Sequence, residues 1–154
     1  MNPGCVESIH LATVAEAPMR SVAEAVALAG IGLEGDRYAT RLGSFSAKPK
    51  PGRQITFIEA EAIEALEREL GVALSPGETR RNVITRGVPL NHLVDREFSV
   101  GRAHFRGSEL CEPCNYLAGL TGKAGILPGL VHRGGLRAEI LEGGTIRVGD
   151  ALCY

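Results

Sequence analysis

One segment of the chain, residues 59–70, has apolar residues at helical spacing. The apolar positions, three or four residues apart, are Ala62, Ile63, Leu66 and Leu70. Charged residues fill the opposite face, and Gly71 follows directly as a candidate C-cap, because glycine readily adopts the left-handed conformation that ends many helices. The pattern predicts one amphipathic α-helix over this segment.

Elsewhere the apolar positions form short or alternating runs that are punctuated by glycine and proline. These runs are 6–14, 54–58, 82–85, 97–105, 136–141 and 145–148. Such runs are typical of β-strands, and many of the 20 glycines stand at their boundaries, where turns and bulges are expected. We therefore predict a mainly β fold with a few helices, a β-rich α+β class built as a bent sheet or a barrel. A chain of 154 residues fits a single domain over residues 1–154 and is long enough to bury a core.

Charge and hydropathy exclude several classes of partner. The formal net charge of −1 argues against a nucleic-acid interface and against a polybasic membrane surface. No apolar run approaches the roughly 18 to 20 residues of a membrane span, and no basic region followed by an apolar stretch marks a signal peptide. We therefore expect a cytoplasmic protein whose cysteines stay reduced.

Arginine dominates the basic residues of this chain. Three of the 17 basic residues are lysines and fourteen are arginines, several of them beside glycine or asparagine. The planar guanidinium suits phosphate and carboxylate, so arginines in loops indicate an anionic ligand. Arginine-rich genomic composition explains the count equally well.

A dinucleotide-binding motif is matched by letter but not by context. GIGLEG, residues 30–35, fits GxGxxG, yet the polar segment that follows does not form the helix whose N-terminus would hold a pyrophosphate. We interpret these glycines as turn residues that lead to Asp36 and Arg37.

The four cysteines include one close pair, Cys111 and Cys114, in the sequence CEPC. A structural zinc needs four ligands, usually with a second close pair, and the other candidates are scattered singly. Those candidates are Cys5, Cys153, His104 and His132. A thioredoxin-like CxPC belongs in an early βαβ unit, whereas this motif comes late and in a β-rich context.

The immediate surroundings of the pair are polar. Glu109, Glu112, Pro113 and Asn115 make a turn-like setting, which weakens the interpretation of the two thiols as core residues. Ligation of a soft metal and carriage of sulfur therefore stand beside the structural alternatives.

Two arginine-rich segments could surround such a thiol. Residues 77–87, GETRRNVITRG, present Arg80, Arg81 and Asn82 just before a predicted strand. Residues 130–140, LVHRGGLRAEI, place His132, Arg133 and Arg137 around a double glycine, Gly134 and Gly135, whose exposed amides can form an anion site. Together they predict a phosphate-binding group of residues, although ordinary surface salt bridges would account for either segment alone.

The order of these segments resembles the MOSC domain, named for the C-terminal part of molybdenum cofactor sulfurases. The resemblance rests on GLEGDRY, RQITFIE, PGETRRNVITRGV, CEPC, GLVHRGGLRAEIL and IRVGD, in collinear order over residues 9–150. It implies a barrel-like β-rich domain that binds the molybdenum cofactor, Mo-molybdopterin, a pterin dithiolene with a phosphate. It also implies that Cys114 is the characteristic cysteine and that Arg81 and Asn82 lie in the cofactor-binding stretch.

Two mechanisms share Cys114 under this resemblance. As a soft ligand the thiolate binds molybdenum, and the centre reduces N-hydroxylated compounds with electrons from an external electron-transfer protein. As a persulfide, Cys114 instead accepts sulfur from a separate cysteine desulfurase and carries it to the cofactor or to a metal–sulfur cluster. Cys111 is expected to support either role. No pyridoxal phosphate is expected in this chain, and a storage or transfer module without turnover is the remaining alternative.

Overall fold

The computed structural model describes residues 4–41, 50–113, 115–123 and 125–154 of the chain. Within these ranges the strands are β1 (Cys5–Leu11), β2 (Arg20–Val22), β3 (Glu24–Leu28), β4 (Gly32–Leu33), β5 (Ile55–Glu59), β6 (Val83–Arg86), β7 (Glu97–Val100), β8 (Ala103–Leu110), β9 (Leu136–Glu142), β10 (Gly144–Arg147) and β11 (Leu152–Cys153). The α-helices of the same ranges are α1 (Ala60–Leu70), α2 (Asn115–Thr121) and α3 (Ile126–Leu130). The predicted β-rich α+β class is confirmed.

Most strands belong to one mixed sheet of eight strands, in the order β11-β7-β8-β9-β5-β6-β1-β2, as far as the structure describes the chain. β5 and β6 are parallel, and the other neighbours are antiparallel. The sheet bends so far that the start of β1 meets the segment before β11. There Val6 N donates to Asp150 O at 2.9 Å and Gly149 N donates to Val6 O at 2.8 Å.

Residues of this sheet form most of the hydrophobic core. Three aromatic rings form its centre: Phe57 packs edge-on against Phe98 and Phe105, with ring centroids 5.3 and 5.6 Å apart. Such edge-to-face pairs are more favourable than their buried area alone implies. A smaller sheet, β10-β3-β4, adds Ala25, Ala27, Leu33 and Ile146 to the same core.

The predicted helix is confirmed as α1, with Glu59 as its N-cap residue. Gly71 ends it in the left-handed conformation, φ 67°, and donates its N–H to the Glu67 carbonyl at 2.9 Å. Leu66 is fully buried between α1, α2 and α3, whereas Leu70 is half exposed, so the apolar stripe ends one turn earlier than its spacing suggests.

Every predicted strand run contains an observed strand, but the boundaries differ. The run 97–105 is two strands, because a turn with Gly101 at φ 57° separates β7 from β8. The GIGLEG segment forms turns with Gly30 and Gly35 at positive φ around the short strand β4, as expected, and residues 36–41, which follow it directly, contain no helix. No helix in the described ranges is long and apolar enough to cross a membrane.

Candidate functional site

The cysteine loop, residues 111–113, connects the end of β8 with the segment before α2. Cys111 is buried, and its N–H donates to the Gly135 carbonyl at 2.7 Å, which extends the β8–β9 pairing by one step. The glycine loop, residues 131–135, therefore lies directly against the cysteine loop. The two segments that the sequence singled out separately meet at one place.

Cys114, the predicted metal ligand and reactive thiol, lies outside the described residues. Its role stays a prediction. Among the described cysteines, Cys5, Cys111 and Cys153 are free thiols. The described ranges contain no group of three or more His, Cys, Asp or Glu side chains that could hold a metal ion, so they offer no zinc cluster.

Arg81 links the cysteine loop to the glycine loop through hydrogen bonds of its side chain. Its Nε donates to the Gly134 carbonyl at 2.8 Å, and its second terminal nitrogen donates to the Cys111 carbonyl at 2.8 Å. The first terminal nitrogen donates to the Thr79 carbonyl at 3.2 Å. The guanidinium is buried, so this fork of donors joins three segments of the backbone inside the protein.

The neighbours of Arg81 bind other segments. Arg80 is left-handed, with φ 62°, and its side chain donates to the Ala17 carbonyl. Asn82 accepts hydrogen bonds from Thr56 N at 3.1 Å and Thr56 Oγ1 at 3.2 Å, and donates to the His10 carbonyl at 3.2 Å. The predicted RRN stretch is therefore a junction at which consecutive side chains hold different parts of the backbone.

Gly134 and Gly135 are buried, which corrects the expectation of exposed amides. A Cβ on Gly134 would overlap the Cys111 carbonyl, and one on Gly135, at φ 117°, would overlap the Phe57 carbonyl. Both positions need glycine because backbones approach too closely for a side chain. Their role in cofactor binding stays a prediction.

Arg137 projects from β9 beside the Cys111 side chain and the Glu109 carboxylate. Its first terminal nitrogen donates to Glu109 Oε1 at 3.0 Å. Burial by itself would lower the pKa of this guanidinium, but the Cys111 sulfur and Glu109 outweigh it and raise the pKa. Cys111 therefore lies near two cationic side chains: Arg81 donates to its carbonyl, and Arg137 is close enough for the Cys111 sulfur to raise the pKa of the guanidinium.

His132 is held at the surface in a left-handed conformation, φ 63°. Its N–H donates to both Glu112 carboxylate oxygens at 3.1 Å, and its carbonyl accepts from Asn91 Nδ2 at 2.6 Å. Because Glu112 belongs to the cysteine loop, this pair adds a second connection between the two loops. The imidazole itself is exposed.

Arg133 turns away from the cysteine loop. Its Nε donates to the Gly129 carbonyl at 2.6 Å and a terminal nitrogen bonds Glu69 Oε2 at 2.6 Å, which ties the glycine loop to α3 and the end of α1. Its predicted contact with the cofactor stays a prediction.

Sequence reasoning missed several residues that build this region. Asp36 is buried and accepts from Ala12 N and from Arg37, and Arg37 in turn donates to the Arg80 carbonyl at 3.0 Å. The sequence indicates Asp36 and Arg37 only as residues at the end of a turn and gives them no bracing role, although a charged pair next to a turn is a recognisable signal for such bracing. Nothing local in the sequence indicates the partners of Thr56 or Glu112.

A cleft of about 400 Å³ opens on the Arg80 side of the junction. It is lined by Glu16, Pro18, Met19, Ser75, Gly77, Glu78, Arg80, Leu120 and Thr121. Because Arg80 and Arg81 are adjacent, one arginine lines this cleft while the next binds the cysteine loop. The volume lies in the range of small-molecule sites.

These features define a class of protein: a β-rich domain in which a buried arginine joins the cysteine loop to the glycine loop. The family model of the MOSC domain matches residues 38–153, and the chain belongs to this family. MOSC domains are associated with the molybdenum cofactor, so this is a molybdenum-cofactor-related domain. No curated protein matches the sequence.

Solved structures share the fold at low sequence identity. The YuaD protein from Bacillus subtilis has a TM-score of 0.81 and 15% identity, covering 99% of this chain and 97% of its own. YiiM from Geobacillus stearothermophilus has a TM-score of 0.75 and 16% identity, covering 98% of this chain and 74% of its own. YiiM from Escherichia coli has a TM-score of 0.72 and 19% identity, with coverages of 99% and 69%.

Proposed function

We propose that the protein is a cytoplasmic molybdenum-cofactor enzyme in which Cys114 ligates the metal and N-hydroxylated compounds are reduced. The observation that carries this proposal is that the cysteine loop and the glycine loop meet, joined by Arg81 at the carbonyls of Cys111 and Gly134, in a chain of the MOSC family. Sulfur donors suit a soft metal, and guanidinium groups suit the phosphate of the cofactor.

The described residues fit such a group by their chemistry. Arg137 has a partly exposed guanidinium beside a thiol, and would bind an anionic part of the cofactor. Arg81 is buried beneath the cysteine loop and would contribute positive charge from the protein interior. His132, exposed at the rim, is available to contact the pterin or the substrate. When bound, the cofactor supplies a redox-active metal.

The reduction of an N-hydroxylated compound breaks the N–O bond. The substrate takes up a pair of electrons and a pair of protons, and the products are the amine and water. No flavin, heme or iron–sulfur motif occurs in the sequence, so the electrons come from an external electron-transfer protein. The chain's part is to hold the cofactor and to orient the substrate.

Sulfur transfer is the second candidate, favoured by the two arginines near the cysteine loop, Arg81 and Arg137. The Cys114 thiolate would take sulfane sulfur from the persulfide of an external cysteine desulfurase, whose own thiolate leaves. Storage or transfer of the cofactor without turnover is the third. The reductase and the sulfur-transfer functions share Cys114.

Measurements on one preparation of the protein distinguish these functions. The protein is purified from a molybdenum-replete host, and metal and released pterin are measured per chain. Benzamidoxime reduction with a supplied electron-transfer chain, and sulfane-sulfur labelling, follow on the same sample. Stoichiometric molybdenum with turnover supports the reductase, and molybdenum without turnover supports storage. A persulfide on Cys114 without metal supports sulfur transfer. Tight zinc that survives chelation, with no pterin uptake, contradicts all three.

A further inference from the structure

Arg80 and Arg81 are consecutive buried arginines that hold different parts of the chain. Arg80 donates to the carbonyl of Ala17, on the side of the cleft. Arg81 donates to the carbonyls of Cys111 and Gly134, which belong to the cysteine loop and the glycine loop. Two consecutive arginines are therefore buried side by side, and the contacts of Arg81 include the cysteine loop while Arg80 contacts Ala17.

We infer that Arg81 is a positioning residue that fixes the cysteine loop on the glycine loop, and so sets the exposure and placement of Cys111. The inference rests on the proposed function for its catalytic consequence only. Its direct consequence, the reactivity of Cys111, can be measured in metal-free protein.

The geometry explains why arginine is used here. The guanidinium places Nε and a terminal nitrogen on one edge, so two carbonyls from segments 23 residues apart in sequence, Cys111 and Gly134, are held by one rigid plane. A lysine ammonium reaches one of these oxygens well but has no second donor at the fixed spacing. Gly134 lets the two loops come close enough for both bonds.

The positive charge of Arg81 also lies close to the cysteine loop. Its hydrogen-bond partners among the described residues are the carbonyls of Thr79, Cys111 and Gly134, which carry no net charge. A buried guanidinium bound only to neutral oxygens keeps a positive potential around the loop. Positioning and electrostatics therefore act at the same residue.

The test is the rate at which Cys111 reacts with iodoacetamide in metal-free, reduced protein, followed by mass spectrometry of each cysteine peptide. Cys111 is buried in the wild type and should react slowly, while exposed Cys153 serves as the internal reference. In Arg81→Ala two charge-assisted bonds to the loops are lost, so the open population and the Cys111 rate should rise on the order of tenfold or more.

Arg80→Ala is the matched control. It removes a buried arginine one position away, so a general loss of stability would accelerate Cys111 in both variants. We expect the Cys111 rate of Arg80→Ala to remain close to that of the wild type. Methylguanidinium at low millimolar concentration should slow the reaction again in Arg81→Ala by filling the vacated site, and urea at the same concentration should not.

Equal acceleration in both variants, or a wild-type rate in folded Arg81→Ala, would overturn the inference. If Arg81→Ala does not fold, Arg81→Lys replaces it: an intermediate rate supports the two-donor role, and a wild-type rate refutes it. These outcomes are independent of the proposed function, which fails when purified wild-type protein takes up no molybdenum cofactor.

Discussion

Gly134 lies where the Cys111 carbonyl passes so closely that a Cβ at this position would overlap the oxygen. Gly134→Ala should therefore push the cysteine loop away and lower the free energy of unfolding by about 1–3 kcal/mol, as overpacking does. Urea unfolding measures this change. Gly119→Ala, in α2 with no atom within 4 Å of the added Cβ, is the control and should be neutral or slightly stabilising. Equal stability of the two variants would contradict the close packing.

The cysteine pair should be functionally asymmetric. Cys114→Ser should abolish molybdenum ligation by sulfur and persulfide formation, because a hydroxyl is a hard and weakly acidic substitute for a thiolate. Cys111→Ser should retain substantial activity. The two variants are compared for benzamidoxime reduction and for sulfane-sulfur labelling. Full activity of Cys114→Ser, or equal loss in both, would refute this division.

Arg133 tests whether the glycine loop contacts the cofactor. If Arg133 binds the phosphate or pterin oxygens, Arg133→Ala should weaken cofactor binding on the order of tenfold and leave the fold intact. Glu69→Gln removes the ion-pair partner of Arg133 and keeps the guanidinium, so it is the matched variant. Cofactor retention during dialysis measures the difference. The same loss in both variants would show that Arg133 acts through its attachment to α1.

Glu78 should make the fold sensitive to acid. Its pKa lies below the ordinary 4.5, chiefly because of the Ser75 backbone N–H and next because of the Lys123 ammonium. A lowered folded-state pKa stabilises the protein above about pH 4.5, and this contribution is lost as the pH falls through the folded-state value.

Glu78→Gln should therefore melt at lower temperature than the wild type at pH 7, and the difference should shrink below about pH 4.5. Melting temperatures across this range provide the measurement, with the exposed Glu34→Gln as control. A difference independent of pH would show that the side chain matters only for its shape.

The sequence predicts those elements whose signals are local. The helical spacing over 59–70 and the stop at Gly71 need no distant partner, so α1 is found nearly to the residue. β2, β3 and β4 escape notice because they have three, five and two residues, too few for a clear pattern. Their pairing depends on other strands: β2 pairs with β1, β3 with β10, and β4 with β3. The helices α2 and α3 are missed because glycine and proline interrupt their short patterns.

In the candidate site, too, local features could be predicted from the sequence and distant contacts could not. The residue types were recognisable, because RRN, CEPC and HRGG are unusual runs. The direction of each side chain was not, because it depends on carbonyls that lie 30 and 53 positions from Arg81. A sequence reader expects arginine beside a strand to face solvent, and only the fold brings those oxygens within its reach.

The bonds between the start of β1 and residues 149–152 also constrain how the protein is made. Leu152 N donates to the Gly4 carbonyl at 2.9 Å, so residues from opposite ends of the described chain share one ladder. During synthesis the first strand leaves the ribosome long before these partners exist, and contacts of such separation form slowly. Residues 4–6 therefore lack these partners until residues 149–152 have been synthesised, and this stretch of strand edge stays open to other pairing in the growing chain.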